Sequence, residues 1–181
     1  MQKQTQQSMG SSKTDDWGTP PEVLDPIYEH MDGIALDPAS NLRSIVRCTK
    51  ALTIVEDGLA HFWHEEVKGL DGLVYVNPPY GNKVKTWVKK AVAEANEGVE
   101  IVMLTAARVD TKWFHEIFDS ADAVCFWKGR LKFINLRTLE RTDPAFFPSA
   151  LAYWGDNVDR FYEAFDNKGH IMVPKHSLTL P

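Results

Sequence analysis

Short apolar runs separated by helix-period stretches set the rhythm of this chain. Residues 34–36, 52–55, 72–76, 99–104, 123–127, 150–154 and 170–173 are too short for helices, and most are rich in β-branched or aromatic residues, the pattern of strands buried on both faces. Between them, Val84–Asn96 carries Val84, Trp87, Val88, Ala91, Val92 and Ala95 at helix spacing, with Gly98 as its stop. Residues 22–31 read as a helix entered through Pro20 and Pro21 and ended by Gly33. Residues 111–120 form a helix with Asp110 as N-cap, and Val158–Phe165 forms another. Strands alternating with helices predict an α/β fold with a mostly parallel, doubly wound sheet, one compact domain over residues 15–181. Residues 1–14, dominated by Gln, Ser and Lys, predict a disordered N-terminal tail.

Composition narrows the class. At 181 residues and 44% hydrophobic content, the chain suits one domain with a substantial core. No apolar run approaches the ~20 residues needed to span a bilayer, and the first residues lack an apolar signal core. A soluble cytoplasmic protein with no membrane partner is expected, as a monomer or weak dimer. Cys48 and Cys125 stand far apart in sequence, which fits buried thiols better than a disulfide. His61 and His64 have ligand spacing but no third ligand close by, so no metal is expected. The net charge of −5 argues against a protein that coats a polyanion nonspecifically. Its placement is uneven, however. Lys83, Lys85, Lys89 and Lys90 cluster, as do Lys128, Arg130, Lys132, Arg137 and Arg141, with Glu140 the only acid inside the second group. Lys89 and Lys90 equally suit the solvated side of a helix, whereas the Arg-rich group suits phosphates and base edges.

The chemistry concentrates at Asn77-Pro78-Pro79-Tyr80, directly after the apolar run 72–76. The end of such a strand is where an open α/β sheet holds its site. The Asn77 amide oxygen and the Pro78 carbonyl both accept hydrogen bonds, so together they form a clamp for an exocyclic amine. Two consecutive prolines, Pro78 and Pro79, stiffen the loop before a substrate arrives. Tyr80 offers a face on which a planar base stacks.

This clamp resembles motif IV of the S-adenosylmethionine-dependent amino-methyltransferases. Residues 16–24, Asp-Trp-Gly-Thr-Pro-Pro-Glu-Val-Leu, resemble motif X of the adenine methylases, and residues 34–40, a strand ending in Asp37-Pro38, resemble motif I. The order X, I, IV is that of the gamma type. Residues 128–133 and 147–151 resemble later blocks of the small phage-type DNA N6-adenine methyltransferases (phage Dam), so the resemblance runs from about residue 16 to about 173.

The resemblance implies a Rossmann-like methyltransferase fold, S-adenosylmethionine as cofactor, S-adenosylhomocysteine as product, and double-stranded DNA as partner. Asn77, Pro78, Pro79 and Tyr80 would be catalytic, acting on the N6 amine of a flipped adenine. Asp37 would accept from the cofactor ammonium or fix its loop, beside Pro38. Asp57 would accept from the cofactor adenine while Leu59 covers that ring, with either Glu56 or Asp57 reaching the ribose. Thr19 would contact the cofactor carboxylate, and Trp17 would shield the cofactor or anchor the N-terminal arm. Lys83, Lys85, Arg130, Lys132, Arg137 and Arg141 would contact DNA, and Phe133 or Phe146 would border the base pocket. Ala39-Ser40-Asn41 replace the family's glycines after Asp-Pro, and only 40 residues separate Asp37 from Asn77, so one crossover is abbreviated. The same clamp also suits a protein glutamine or an RNA base, and a noncatalytic DNA-binding decoy with a degenerate cofactor site is a third reading.

Overall fold

The computed structural model describes residues 17–174, so the tail expected at 1–14 lies outside the described residues. Nine strands and five helices follow in the order β1 (Trp17–Gly18), α1 (Pro21–His30), β2 (Ile34–Asp37), β3 (Lys50–Ala51), α2 (Trp63–Glu66), β4 (Leu73–Val76), α3 (Val84–Asn96), β5 (Ile101–Ala106), α4 (Lys112–Ser120), β6 (Ala123–Trp127), β7 (Ile134–Asn135), β8 (Ser149–Trp154), α5 (Val158–Phe165) and β9 (Gly169–Met172) among the described residues. Seven strands form the central sheet in the order β3-β2-β4-β5-β8-β6-β9. The β2–β3, β2–β4 and β4–β5 pairs are parallel, while β8 runs antiparallel to both β5 and β6, and β9 antiparallel to β6. Five strands therefore share one direction, giving a mixed but mostly parallel sheet.

Both faces of that sheet are buried, which is why its strands read as apolar runs instead of alternating ones. In β4, Leu73 and Tyr75 join a core with Val23, Ile27, Phe161 and Phe165 of α1 and α5, while Val74 and Val76 join a second core with Val88, Phe114 and Ile117 of α3 and α4. β5 alternates in the same way, with Val102 and Leu104 on the first side and Ile101 and Met103 on the second. A register shift between Ile34 and Leu36 lets these residues, two apart in one strand, serve opposite cores.

Two local readings are corrected. Residues 52–55 are not a strand: pairing ends at Ala51, Leu52 still bonds to Asp37 and Ser40, and Thr53 then turns the chain through the Glu56 carboxylate. Ile54 and Val55 carry strand propensity but stand 88% and 80% exposed, beyond the edge strand β3, with no further strand to pair with among the described residues. The α4 cap is Thr111, whose hydroxyl accepts from the Phe114 N–H, and not Asp110. A small second sheet had no signal in either segment: β1 pairs antiparallel with β7, joining Trp17 with Asn135, 118 residues apart, and Gly18 with Ile134, 116 apart. No helix among the described residues is long and apolar enough to cross a membrane.

Candidate active site

The strand order places a switch point between β2 and β4: from β2 the chain moves outward to β3, then crosses back to the other side of β2. Ligands of open α/β sheets bind outside the carboxyl ends of strands at such a point. Asp37 closes β2 and Asn77 follows β4 there, and both line one cavity of about 370 Å³. Trp17, Thr19, Pro38, Asp57 and Leu59 line it as well, as do Pro78, Pro79, Tyr80 and Lys83. All ten residues expected to contact cofactor or to carry catalysis therefore meet in one cavity, although they come from four separate segments of the chain.

The cofactor side is built by close backbone approach. A Cβ on Gly58 would fall 1.9 Å from the Pro38 carbonyl oxygen, so glycine is what lets loop 57–59 close on the Asp37-Pro38 turn. Trp63, fully buried in α2, pins the same loop by donating from Nε1 to the Gly58 carbonyl at 2.8 Å. Asp57 takes a left-handed conformation with φ 55°, and its carboxylate accepts from the Leu59 N–H at 3.3 Å. Glu56 is committed elsewhere, to Thr53, so of the two acids only Asp57 faces the cavity.

Asp37 is the electrostatic centre of this half. Only 4% exposed, its carboxyl is pushed up to about 6 by burial, against which the Ser40 hydroxyl, the Ala39 N–H and the Ser44 hydroxyl favour the ionised form. Ser40 lies in the Ala39-Ser40-Asn41 stretch that stands where glycines were expected, and Ser44 follows on the same loop. An acid this deeply buried and only partly compensated fits a cationic ligand group.

On the other side, the Asn77 Nδ2 donates to Thr19 Oγ1 at 3.1 Å, and Thr19 Oγ1 shares a 2.8 Å hydrogen bond with the Tyr75 hydroxyl. The Asn77 Oδ1 is buried and accepts from no group among the described residues. An orphaned buried acceptor costs about 1–3 kcal/mol, and such a group in a binding cavity marks a waiting donor. The Thr19 hydroxyl, expected on a cofactor carboxylate, is engaged by these two side chains. Tyr80 packs against Phe147 at 4.8 Å between ring centroids and edge-on to Phe133 at 6.1 Å. Phe133 thus backs Tyr80, whereas Phe146 is 75% exposed.

Sequence reasoning missed Tyr75, whose phenol inside an apolar strand needed a buried partner, and Trp87, which lines the cavity with an unpartnered indole N–H. It also missed Leu136. A Cβ on Gly18 would meet the Leu136 side chain at 2.5 Å, so the hairpin carrying β7 closes tightly on the N-terminal strand beside the cavity.

The basic residues divide. Lys85, Arg130, Lys132 and Arg137 are exposed. Arg141, expected to contact DNA, makes a two-pronged ion pair with Glu22 of α1, at 2.6 and 2.8 Å, tying the β7 hairpin to that helix. His61 bonds to Glu66 and His64 to Glu94, so the two histidines point to different carboxylates.

Residues 6–172 match the family described as DNA N-6-adenine-methyltransferase (Dam), which covers most of the chain, and the chain belongs to that family. It is 29% identical to a DNA N-6-adenine-methyltransferase of Escherichia phage T1, over 70% of this chain and 57% of the relative. The chain thus spans little more than half of that protein's length.

Proposed function

We propose, from its place in the Dam family, that this protein transfers a methyl group from S-adenosylmethionine to the N6 amine of adenine in double-stranded DNA, on a Rossmann-like methyltransferase fold. The observation that carries the reading is the juxtaposition of the orphaned Asn77 Oδ1 with the buried Asp37 carboxylate in one cavity. The cavity is of ligand size. Its donor set fits the cofactor: Asp37 suits the ammonium, Asp57 a hydrogen-bond donor of the nucleoside, and Leu59 with Pro38 an apolar wall. S-adenosylmethionine bound there supplies an electrophilic sulfonium methyl.

The chain's own work is done at the amine. An adenine N6 lone pair is delocalised into the ring and is a weak nucleophile. Asn77 Oδ1 and the Pro78 carbonyl accept its two N–H bonds, which favours a pyramidal nitrogen and aims the lone pair out of the ring plane. Tyr80, steadied by Phe133 and Phe147, stacks the base, which offsets part of the few kcal/mol spent in extruding it from the duplex. Lys83, Lys85, Arg130, Lys132 and Arg137 supply the phosphate-facing charge that the acidic whole lacks.

The test is methylation of unmodified duplex DNA with labelled cofactor, mapping the modified base, for the wild type and Asn77→Ala. The expected result is N6-methyladenine with the wild type and no transfer with Asn77→Ala, while calorimetric affinity for S-adenosylmethionine stays within about twofold. Near-normal turnover by Asn77→Ala would overturn the clamp. No measurable cofactor affinity in the wild type would point to a decoy.

A further inference from the structure

Adenine's amine offers only donors to the clamp, so an Asn at position 77 serves it in just one of its two amide orientations. Oδ1 must face the base, because Nδ2 would set donor against donor. An asparagine without a specific partner turns over readily about its last torsion. What fixes the amide here lies on a different segment. Thr19, 2% exposed, accepts from Nδ2 at 3.1 Å, and its Oγ1 is held in turn by the Tyr75 hydroxyl at 2.8 Å.

We propose that Thr19, backed by Tyr75, is a positioning residue that sets the Asn77 amide with its oxygen toward the substrate amine; this rests on the adenine-N6 reading of Asn77. Tyr75 is fully buried and its hydroxyl is kept neutral by burial, so it remains a hydrogen-bonding partner at every working pH. Where Thr19 gives its proton to Tyr75, turning the amide over sets Oδ1 against the lone pairs of Oγ1 and costs that bond. Thr19 has little room to move. Gly18 is paired to Ile134, Leu136 packs on the Gly18 backbone, and Pro20 opens α1 on the other side. The hydroxyl that orients the clamp is thereby held by the same hairpin that carries Leu136 into the cavity wall.

The test uses the full chain. Thr19→Val keeps the shape and removes the hydroxyl, and its kcat should fall about 10- to 100-fold with the Kd for S-adenosylmethionine nearly unchanged, while the Tm drops by several degrees because Asn77 Nδ2 and the Tyr75 hydroxyl lose their buried partner. Thr19→Ser should regain most of that loss. Tyr75→Phe should lose less than Thr19→Val. A carboxylate presents an acceptor whichever way it turns, so in an Asn77→Asp background Thr19→Val should cost no more than about threefold. The Asn77 side-chain amide resonances, identified by their absence in Asn77→Ala, should shift in Thr19→Val and stay in place in Thr19→Ser, a readout independent of turnover. An equal loss from Thr19→Val in both backgrounds, or unchanged amide resonances, would overturn the proposal. Full activity of Asn77→Ala would instead overturn the reading on which it rests.

Discussion

Cofactor affinity should depend on pH through Asp37. Burial holds this carboxyl at about 6 against an ordinary 3.8, so keeping it ionised in the free protein costs about 3 kcal/mol. An acid with a raised value binds its proton more tightly folded than unfolded. Its effect on the free protein is therefore most stabilising below about pH 4 and is lost as pH rises through about 6. A cationic ligand reverses the preference, because an ammonium beside Asp37 favours the carboxylate. Affinity for S-adenosylmethionine should be flat above about pH 7 and fall about tenfold per unit below 6, giving a Kd roughly tenfold weaker at pH 5. Titration calorimetry in two buffers of different ionisation enthalpy measures both quantities. Proton release on binding should approach one at pH 5, about one half at pH 6 and near zero at pH 7.5. Asp37→Asn should bind weakly at all three and lose the pH dependence. In the free protein, the same substitution should raise the Tm at pH 7.5 relative to wild type, with the gap roughly halved at pH 5 and closing below about pH 4. A wild-type Kd constant from pH 5 to 7.5, or an equal slope in Asp37→Asn, would refute the assignment of Asp37 to the ligand cation.

Gly58→Ala places a Cβ on the Pro38 carbonyl and should prise loop 57–59 from the Asp37-Pro38 turn, weakening cofactor affinity about 10- to 100-fold; unchanged calorimetry would mean that the loop does not line the bound ligand. Arg130→Ala and Lys132→Ala should each lower the slope of log affinity against log salt by about 0.9 in DNA binding titrations, one phosphate contact apiece. Arg141→Ala should leave that slope unchanged and cost at most about 1 kcal/mol in denaturant unfolding, because its partner is Glu22 and the pair is half exposed; a lost slope would place Arg141 on DNA after all.

Local pattern carried much of this protein. The spacing of Val84, Trp87, Val88 and Ala91, closed by Gly98, fixed α3 at both ends, and the apolar runs 72–76 and 34–36 located the strands whose ends hold Asn77 and Asp37. Those two positions were legible because a buried strand must end at a turn, and Asn-Pro-Pro and Asp-Pro are turns with chemistry in them. Propensity misled where an edge had nothing to pair with, at Ile54 and Val55, and where two adjacent residues could both cap a helix, at Asp110 and Thr111.

Contacts between distant segments were decided only by the tertiary structure. Thr19 meets Asn77 across 58 residues, Arg141 meets Glu22 across 119, and β1 finds β7 because a two-residue strand satisfies its backbone only against a partner that the fold brings to it. The type of each side chain was written in the sequence. Which of its hydrogen-bonding atoms remained unspent, such as the Asn77 oxygen, depended on which neighbours had already taken the others.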